Sequence, residues 1–372
     1  PDDRGELRAM LLQRLAWRGA SAAAAVVTGA YVVHEQLRIS PPAHAKPATA
    51  VLQPGDRLVM SGDCGGTNTR LQLFKVPAGS VLSNGEKPPG ELVFAKKYVN
   101  SEFESFEDVC VRFLGEAEPV AGTAKPEACC LACAGGIVNN TVTFTNVKSQ
   151  GWAIDGYKLQ ASLGIPTVRL INDFEAQGYG LLTIEPNERL QLNNAKPRSG
   201  APIACIGAGT GLGECYLTEH RGDYCCWPSE GGHAEFSPRS QLTYDLLVYL
   251  KAKFSAHHRV SVERIVSGPG LGNVYEFLRQ HWAYSDRVDP AVDEAWLKAP
   301  PDQKGVAVAH GAHAGDVLCK KAVEIFSECY GSEAGCAHAR IRRTAYARRA
   351  GAPLRRSARA TAVEPSDRQR EG

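Results

Sequence analysis

Two glycine-rich turns carry the clearest chemical signal in this sequence. Glycines at alternate positions, 207, 209, 211 and 213, follow an apolar run that ends at Ile206. A strand that enters such a turn presents backbone N–H groups on a concave surface, with no Cβ in the way of phosphate oxygens. A second turn of this kind, residues 61–68, lies upstream and reads Ser-Gly-Asp-Cys-Gly-Gly-Thr-Asn. Either turn alone can be purely structural, but the pair, with carboxylates between and after, indicates phosphoryl transfer in a cleft.

The pair Asn172-Asp173 is a second source of chemistry, because it follows the short apolar run Val168 to Ile171. In open α/β sheets, ligands collect beyond the carboxyl ends of the strands. A carboxylate there can accept the proton of a hydroxyl group while a phosphoryl group is transferred to that hydroxyl. The alternative is a helix N-cap, since Asn and Asp are favoured there and residues 174–176 can open a helix. The local sequence leaves both interpretations open.

Three further polar residues can recognise a ligand that carries many hydroxyl groups. Glu230 and His233 flank two glycines and can offer a hydrogen-bond acceptor and a donor. The alternative for His233 is that its side chain only forms hydrogen bonds within its own turn. Glu263 follows Ser261, which is typical of a helix start, and in that interpretation Glu263 only suits the helix dipole.

The elements that must position these residues alternate between strands and helices. The residue pattern predicts strands over 57–61, 69–76, 91–99, 128–134, 168–171 and 202–206. Apolar residues at helical spacing predict helices over 103–114, 156–163, 241–254, 273–280 and 316–330. Residues 281–312 are polar, rich in Ala and Pro, and show no clear period. Strands that alternate with helices indicate an α/β architecture.

The two ends of the chain differ in composition from the rest. Residues 4–18 carry four arginines, whereas residues 19–33 have no charge and are rich in Ala and Val. This pattern is typical either of a presequence or signal-anchor-like element or of a disordered extension with one helical patch. A Pro-rich linker follows at residues 41–47. Residues 337–372 contain ten arginines, three acidic residues and no apolar stripe, which predicts a disordered tail.

The overall composition is that of a soluble globular protein. The 372 residues are 44% hydrophobic and 22% charged, and this length suits about two domains. The net charge of +2 is smaller than the excess in the tail, so residues 1–336 are mildly acidic. We therefore expect the folded part to bind neither nucleic acid nor membrane. Several of the twelve cysteines lie in apolar runs, which predicts free thiols in a reducing compartment, and Cys130-x-x-Cys133 has no second pair at zinc spacing.

Taken in order, six blocks of this sequence resemble those of the bacterial-type glucokinase family, within the sugar kinase, Hsp70 and actin superfamily. The resemblance covers about residues 57 to 335. The blocks are residues 61–70 (first phosphate motif), 131–136 followed by Thr145, Asn146 and Trp152, 172–176 (catalytic block), 207–213 (second phosphate motif), 230–233, and 260–264 with 267–271.

The resemblance implies an enzyme that uses ATP to phosphorylate D-glucose to glucose 6-phosphate, at the entry to glycolysis. It implies that Asp173 is the general base on the sugar 6-hydroxyl. It also implies that Asn172, Glu230, His233 and Glu263 hydrogen-bond the other sugar hydroxyls. The residues that it places at the phosphates of ATP are Asp63, Gly65, Gly66, Thr67, Asn68, Gly209, Thr210 and Gly211, with Asp63 also facing Mg²⁺.

The fold that the resemblance implies is α/β, a two-domain actin-like ATPase (ribonuclease H-like) fold whose cleft closes on the sugar. We expect an N-terminal extension over residues 1–56, a small domain over 57–173, a large domain over 174–335 and an Arg-rich tail over 336–372. Family members continue beyond the equivalent of Gly335 with a helix, an apolar strand and a Gly-rich turn near the adenine. Because the Arg-rich tail stands in their place, we expect the last elements of the fold to be missing.

Two alternatives stay open beside the glucokinase. This departure leaves open a catalytically impaired sugar-binding protein of the same fold. A kinase for a related hexose such as mannose or glucosamine stays open because the sequence does not reveal the contacts to the sugar 2-position. A homodimer and a cytoplasmic location are compatible with the resemblance, and the N-terminal segment leaves an organelle as the alternative location.

Overall fold

The computed structural model describes residues 23–26, 31–33, 52–81, 86–144, 151–196, 198–254 and 259–349, and within these it places side chains from Leu52 to Ala337. Thr145 and Asn146, the basic segment 4–18, the linker 41–47 and everything beyond Arg349 lie outside the described residues. The strands are β1 (Ala23–Val26), β2 (Tyr31–Val33), β3 (Arg57–Cys64), β4 (Asn68–Val76), β5 (Glu91–Val99), β6 (Ala128–Cys133), β7 (Thr141–Phe144), β8 (Trp152–Asp155), β9 (Thr167–Asn172), β10 (Arg189–Gln191), β11 (Ile203–Ala208), β12 (Leu212–His220) and β13 (Asp223–Ser229). The helices are α1 (Phe106–Ala121), α2 (Gly156–Leu163), α3 (Asp173–Leu181), α4 (Gln241–Lys253), α5 (Gly268–Gln280), α6 (Pro290–Lys298), α7 (Lys304–Ala314) and α8 (Val317–Arg349).

The first sheet has the strand order β5-β4-β3-β6-β9. β3, β4 and β5 form an antiparallel meander, whereas β6 and β9 run parallel to β3. Cys64 is in register with Cys133, and Cys133 is in register with Asn172. The carboxyl ends of three neighbouring strands therefore meet in one row, which is where ligands collect in sheets of this kind.

The core of this first unit lies between the sheet and α1. Ser105 caps α1 through a reciprocal capping box with Asp108. The buried face of the helix brings Phe113 against the strands, with its ring centroid 5.3 Å from that of Phe94. The helix begins three residues later and ends seven residues later than the apolar spacing predicted, and the predicted hairpin of β3 and β4 is confirmed.

The second sheet has the order β10-β2-β1-β11-β12-β13, with antiparallel pairing throughout. Helices α4 to α8 build a second apolar cluster that includes Ile206 and Leu212 of this sheet. α8 packs on β11, and the hydroxyl group of Tyr330 donates a hydrogen bond to the carbonyl oxygen of Ile206 at 3.1 Å. α3 follows β9 of the first sheet and contacts β12 and β13 of the second, so it connects the two units.

Residues 23–26 and 31–33 form strands, whereas one of the two interpretations of this segment was a disordered extension with one helical patch. β1 pairs antiparallel with β11, with Ala23 opposite Ala208, and β2 pairs with β1 and β10. The edge of β11 supplies backbone hydrogen-bond partners, and such tertiary pairing overrides local propensity. Residues 23–26 and 31–33 therefore contribute two strands to the second sheet.

Two helices occupy the stretch that showed no clear period. Asp289 caps α6 by accepting hydrogen bonds from the N–H groups of Ala291 and Val292, and Pro290 occupies the first helical position. α7 is rich in Ala and Gly, so it has no strong polar face that would reveal a period. Neither helix was predicted from the sequence.

The last helix, α8, extends beyond its predicted end at Tyr330 to Arg349. The expectation of a disordered tail from residue 336 onwards is therefore wrong for residues 336–349. Ala and Arg have high helix propensity and can continue a helix that is already nucleated by packing, without an apolar stripe of their own.

All twelve cysteines carry free thiols, and most are buried as small apolar side chains, as the sequence predicted. Among the described helices, none combines the length and the apolar character that a membrane span requires.

Candidate active site

The first glycine-rich turn joins β3 to β4 at the row of strand ends. The N–H group of Gly65 donates to the carbonyl oxygen of Asn68 at 3.0 Å, which closes a two-residue hairpin loop of Gly66 and Thr67. The adjoining loop is tied to the same strand end, since the N–H group of Ala134 donates to the carbonyl oxygen of Cys64 at 3.1 Å. The turn therefore has a fixed backbone.

Asp63 lies beside this turn and forms an ion pair with Arg70 on the neighbouring strand. One guanidinium nitrogen of Arg70 is 2.7 Å from the Oδ2 atom of Asp63. Both side chains are 59% exposed, so the carboxylate remains open to an incoming cation or phosphate group.

Asn172 is the N-cap of α3, which is one of the two interpretations that the sequence left open. Its Oδ1 atom accepts hydrogen bonds from the N–H groups of Phe174, at 2.9 Å, and Glu175, at 3.3 Å. Its Nδ2 atom donates to the carbonyl oxygen of Gly135 at 3.1 Å. The amide therefore fixes both the start of α3 and the loop after β6.

Asp173 is the first residue of α3 and is exposed at the strand ends. Nearby protein atoms displace part of the water around its carboxyl group, and this desolvation raises the pKa of Asp173 above its ordinary value. The negative charge of Asp63 raises the pKa further, while a hydrogen bond from the N–H group of Phe174 opposes the shift. Asp63 and Asp173 are thus near enough to influence each other.

The second glycine-rich turn joins β11 to β12 and is held from two sides. The N–H group of Gly268, at the start of α5, donates to the carbonyl oxygen of Gly209 at 2.7 Å. Glu263 accepts a hydrogen bond from the N–H group of Leu212 at 2.9 Å, through Oε2. A Cβ on Gly211 would lie 2.6 Å from the same oxygen, so the turn admits no larger residue without a shift.

The other candidates for sugar recognition converge on the same place. Glu230 and His233 bracket a short helical turn, with Oε2 of Glu230 3.7 Å from Nε2 of His233, and both are exposed. Gly232 in this turn lies against the start of β12, where a Cβ would be 2.0 Å from the carbonyl oxygen of Leu212. The following loop is tied to the Glu263 segment, since the N–H group of Val262 donates to the carbonyl oxygen of Ala234 at 2.9 Å.

Phe174 links Asp173 to the second turn. Its ring covers Gly213, where a Cβ would lie only 2.1 Å from the ring. The ring packs into a small apolar cluster with Cys205, Cys215, Leu217 and Cys226. Phe174, which follows Asp173 in the chain, therefore packs on Gly213, the last glycine of the series 207–213.

Three residues of this site had no signal of their own in the sequence. Phe174 and Arg70 lie within motifs but were given no role, and buried Glu214 packs under the turn of Glu230 and His233, where a Cβ on Gly231 would lie 1.8 Å from its Oε2 atom. The partners of Phe174 and Glu214 are remote in sequence, so only the folded chain identifies these two residues, whereas Arg70 pairs with Asp63 inside one motif.

The donor set fits a magnesium ion that is held mainly by a nucleotide. Among the described residues, no cluster of three or more His, Cys, Asp or Glu side chains suited to a metal ion occurs. Mg²⁺ usually binds through one or two carboxylates together with phosphate oxygens and water. The exposed carboxylate of Asp63, close to Asp173, satisfies that requirement.

Comparisons with known proteins identify relatives of this chain. The family model "Glucokinase" matches residues 60–339. The glucokinase of Nostoc sp. is 38% identical over 285 residues, which cover 75% of this chain and 79% of that relative. The glucokinase of Synechocystis sp. is 37% identical over 285 residues, which cover 74% of this chain and 78% of that relative.

Solved structures share the fold. A glucokinase from an Antarctic psychrotroph matches with a TM-score of 0.58 and 23% identity, over 76% of this chain and 79% of its own. The glucokinase of Balamuthia mandrillaris, solved in complex with glucose, matches with a TM-score of 0.52 and 22% identity, over 75% of each chain. The mixed α/β architecture is therefore that of the actin-like ATPase fold, and the chain belongs to the glucokinase family.

Proposed function

We propose that this chain is a glucokinase that transfers the terminal phosphoryl group of ATP to the 6-hydroxyl group of D-glucose. The observation that carries the proposal is the packing of Phe174 on Gly213, because it ties the helix that begins at Asp173 to the second glycine-rich turn. Membership of the glucokinase family and the similarity to the named cyanobacterial enzymes support it.

Asp173 is proposed as the general base. The sugar hydroxyl oxygen attacks the terminal phosphorus, its proton passes to the Asp173 carboxylate, and ADP leaves with the electrons of the broken P–O bond. A raised pKa suits this role, because a base that is too acidic accepts a proton poorly. Asn172 holds the base in place by capping α3.

The two turns are proposed to hold the phosphates from opposite sides. Gly65, Gly66, Thr67 and Asn68 build the turn at the first sheet, and Gly209, Thr210 and Gly211 build the turn at the second. A bound Mg²⁺ would neutralise charge on the phosphates, with Asp63 as its protein contact. Positioning and electrostatic stabilisation supply most of the rate in phosphoryl transfer.

Sugar recognition is proposed to use side chains whose hydrogen-bonding capacity is only partly occupied. The amide nitrogen of Asn172 carries two hydrogens, so one can donate to a hydroxyl beside its bond to Gly135. The carboxylate of Glu263 has acceptor sites beyond the one that takes the N–H group of Leu212. The side chains of Glu230 and His233 are exposed to solvent at the same edge of the candidate site. A sugar that lacks a hydroxyl would leave such groups unpaired, which gives steep selectivity.

The test is a coupled assay of the purified chain with Mg-ATP and each of glucose, mannose and glucosamine, together with calorimetric binding of the same sugars. We expect turnover with glucose at the highest kcat/KM. Faster turnover of another hexose would favour the related-hexose kinase. Glucose binding without any turnover would favour the impaired sugar-binding protein. The cytoplasmic location and the homodimer remain predictions.

A further inference from the structure

Asn100 is a buried polar residue outside every motif that the sequence singled out. It follows β5, in a short helical turn over residues 100–102, and only 1% of its surface is exposed. Its partners are 31 and 35 residues away through the side chain, at Thr69 and Gly65. Both partners belong to the first glycine-rich turn or to the strand that leaves it.

Asn100 makes three hydrogen bonds to this turn. Its Nδ2 atom donates to the carbonyl oxygen of Gly65 at 2.7 Å, and its Oδ1 atom accepts from the hydroxyl group of Thr69 at 2.9 Å. Its backbone N–H group donates to the carbonyl oxygen of Thr67 at 2.9 Å. The side chain of Asn100 donates one of these hydrogen bonds and accepts another, and this combination requires a short side-chain amide.

These bonds determine which way the peptide groups of the turn point. The carbonyl groups of Gly65 and Thr67 are drawn towards Asn100. In a trans peptide the carbonyl group and the next N–H group point in opposite directions, and the described residues contain no cis peptide bond. The N–H groups of Gly66 and Asn68 are therefore turned away from Asn100.

We propose that Asn100 is a positioning residue for the nucleotide, which orients the N–H groups of the first turn towards the phosphates of ATP. The inference rests on the proposed function, because it presumes that this turn receives a nucleotide. It assigns Asn100 to nucleotide binding and to phosphoryl transfer. It assigns no part in sugar recognition, since the sugar candidates contact the second turn and α3.

The test compares Asn100→Ala with Asn140→Ala. Asn140 is a matched control because it is also buried, in the same core, and makes two side-chain hydrogen bonds to backbone groups, at Val168 and Leu170. Calorimetric binding of a non-hydrolysable ATP analogue and of glucose, the thermal midpoint, and KM for both substrates are measured for each variant.

We expect Asn100→Ala to weaken binding of the analogue and to raise KM for ATP by about tenfold, the effect of losing roughly one well-placed hydrogen bond to the turn. Glucose binding should stay unchanged. Asn140→Ala should lower the thermal midpoint without changing affinity for the analogue. Equal losses of sugar and analogue affinity in Asn100→Ala, or a lower thermal midpoint with unchanged analogue affinity, would overturn the inference.

A second variant keeps the test decisive if Asn100→Ala does not fold. Thr69→Val keeps the shape of a fully buried side chain but removes the hydroxyl group that donates to Asn100. We expect a smaller loss of analogue affinity, and in a folded double variant the two losses should not add, since they disturb one network. Unchanged analogue affinity in Thr69→Val, or additive losses, would count against the inference. If the wild-type chain binds the analogue but phosphorylates no sugar, the proposed function fails while the role of Asn100 is still measured.

Discussion

The contact between Gly213 and the ring of Phe174 allows a direct test of how the site is assembled. A Cβ on Gly213 would lie 2.1 Å from Cδ2, 2.5 Å from Cε2 and 2.6 Å from Cγ of Phe174. Carbon atoms pack best at about 3.5–4.0 Å, so Gly213→Ala forces the ring to move by roughly 1 Å or more. Phe174 is bonded to Asp173, and the displacement therefore reaches the proposed base.

The size of the effect follows from this overlap. Overpacking of this kind costs about 1–3 kcal/mol of folding stability. A misplacement of about 1 Å in a catalytic group can cost about 10²-fold in rate. We therefore expect kcat for glucose to fall by about 10²-fold, with a lower thermal midpoint, in a coupled assay and a thermal unfolding scan.

Gly180→Ala is the matched control. Gly180 lies on the same helix as Phe174, and a Cβ there would meet no atom within 4 Å. This variant should keep the wild-type kcat and thermal midpoint or raise the midpoint slightly, because Ala favours a helix over Gly. Adding Phe174→Leu to Gly213→Ala should restore part of the kcat by removing the ring. If Gly213→Ala keeps the full kcat, Phe174 does not transmit the position of the second turn to Asp173.

Two further predictions concern charged groups. The pH profile of kcat/KM for glucose reports the titration of the free enzyme. Its acid limb should lie above the pH at which an ordinary Asp titrates, because the pKa of Asp173 is raised and the base works only when deprotonated. An acid limb at or below about pH 3.9 would contradict this. Glu116 bonds to Lys96, Arg112 and Tyr98, which lowers the pKa of its carboxyl group from 4.5 to about 2, with the bond to Lys96 as the largest cause. Its contribution to stability is therefore fully present above pH 4.5 and lost as the pH falls towards 2. Glu116→Gln should lower the free energy of unfolding by only about 1 kcal/mol at pH 7, since exposed ion pairs are screened. The difference in thermal midpoint between this variant and the wild type should narrow below pH 4.5. A difference that is constant with pH would refute the stabilising role of the Glu116 carboxylate.

Sequence reasoning succeeded where local pattern and global fold agree. The hairpin of β3 and β4 can be predicted from alternating apolar residues and the glycine turn between them. The pair Asp155-Gly156 marks the start of α2, which ends at Leu163 as predicted. The sequence also presented Asn172-Asp173 as either a cap or a base. The structure shows that Asn172 is the cap, and the role of Asp173 as the base stays a prediction.

The remaining features depend on contacts that no local window contains. Asn100 reaches its partners across more than 30 residues, and Phe174 on α3 meets Gly213 on β12. β1 and β2 form where β11 offers an edge, although their Ala-rich segment suggested a helix. α6 escaped prediction because its nine residues are too few to establish a period, and α7 because its residues are mostly Ala, Gly and Val.

The most direct measurement for the proposed site is single-turnover kinetics of Asp173→Asn with glucose and Mg-ATP, beside calorimetric binding of glucose. Asn keeps the shape of the side chain and removes its basicity, and Glu175→Gln on the same helix serves as the control carboxylate. We expect the rate of glucose 6-phosphate formation to fall by at least about 10²-fold in Asp173→Asn, with glucose affinity retained, and to stay near wild type in Glu175→Gln. A near-wild-type rate in Asp173→Asn would contradict the assignment of Asp173 as the base.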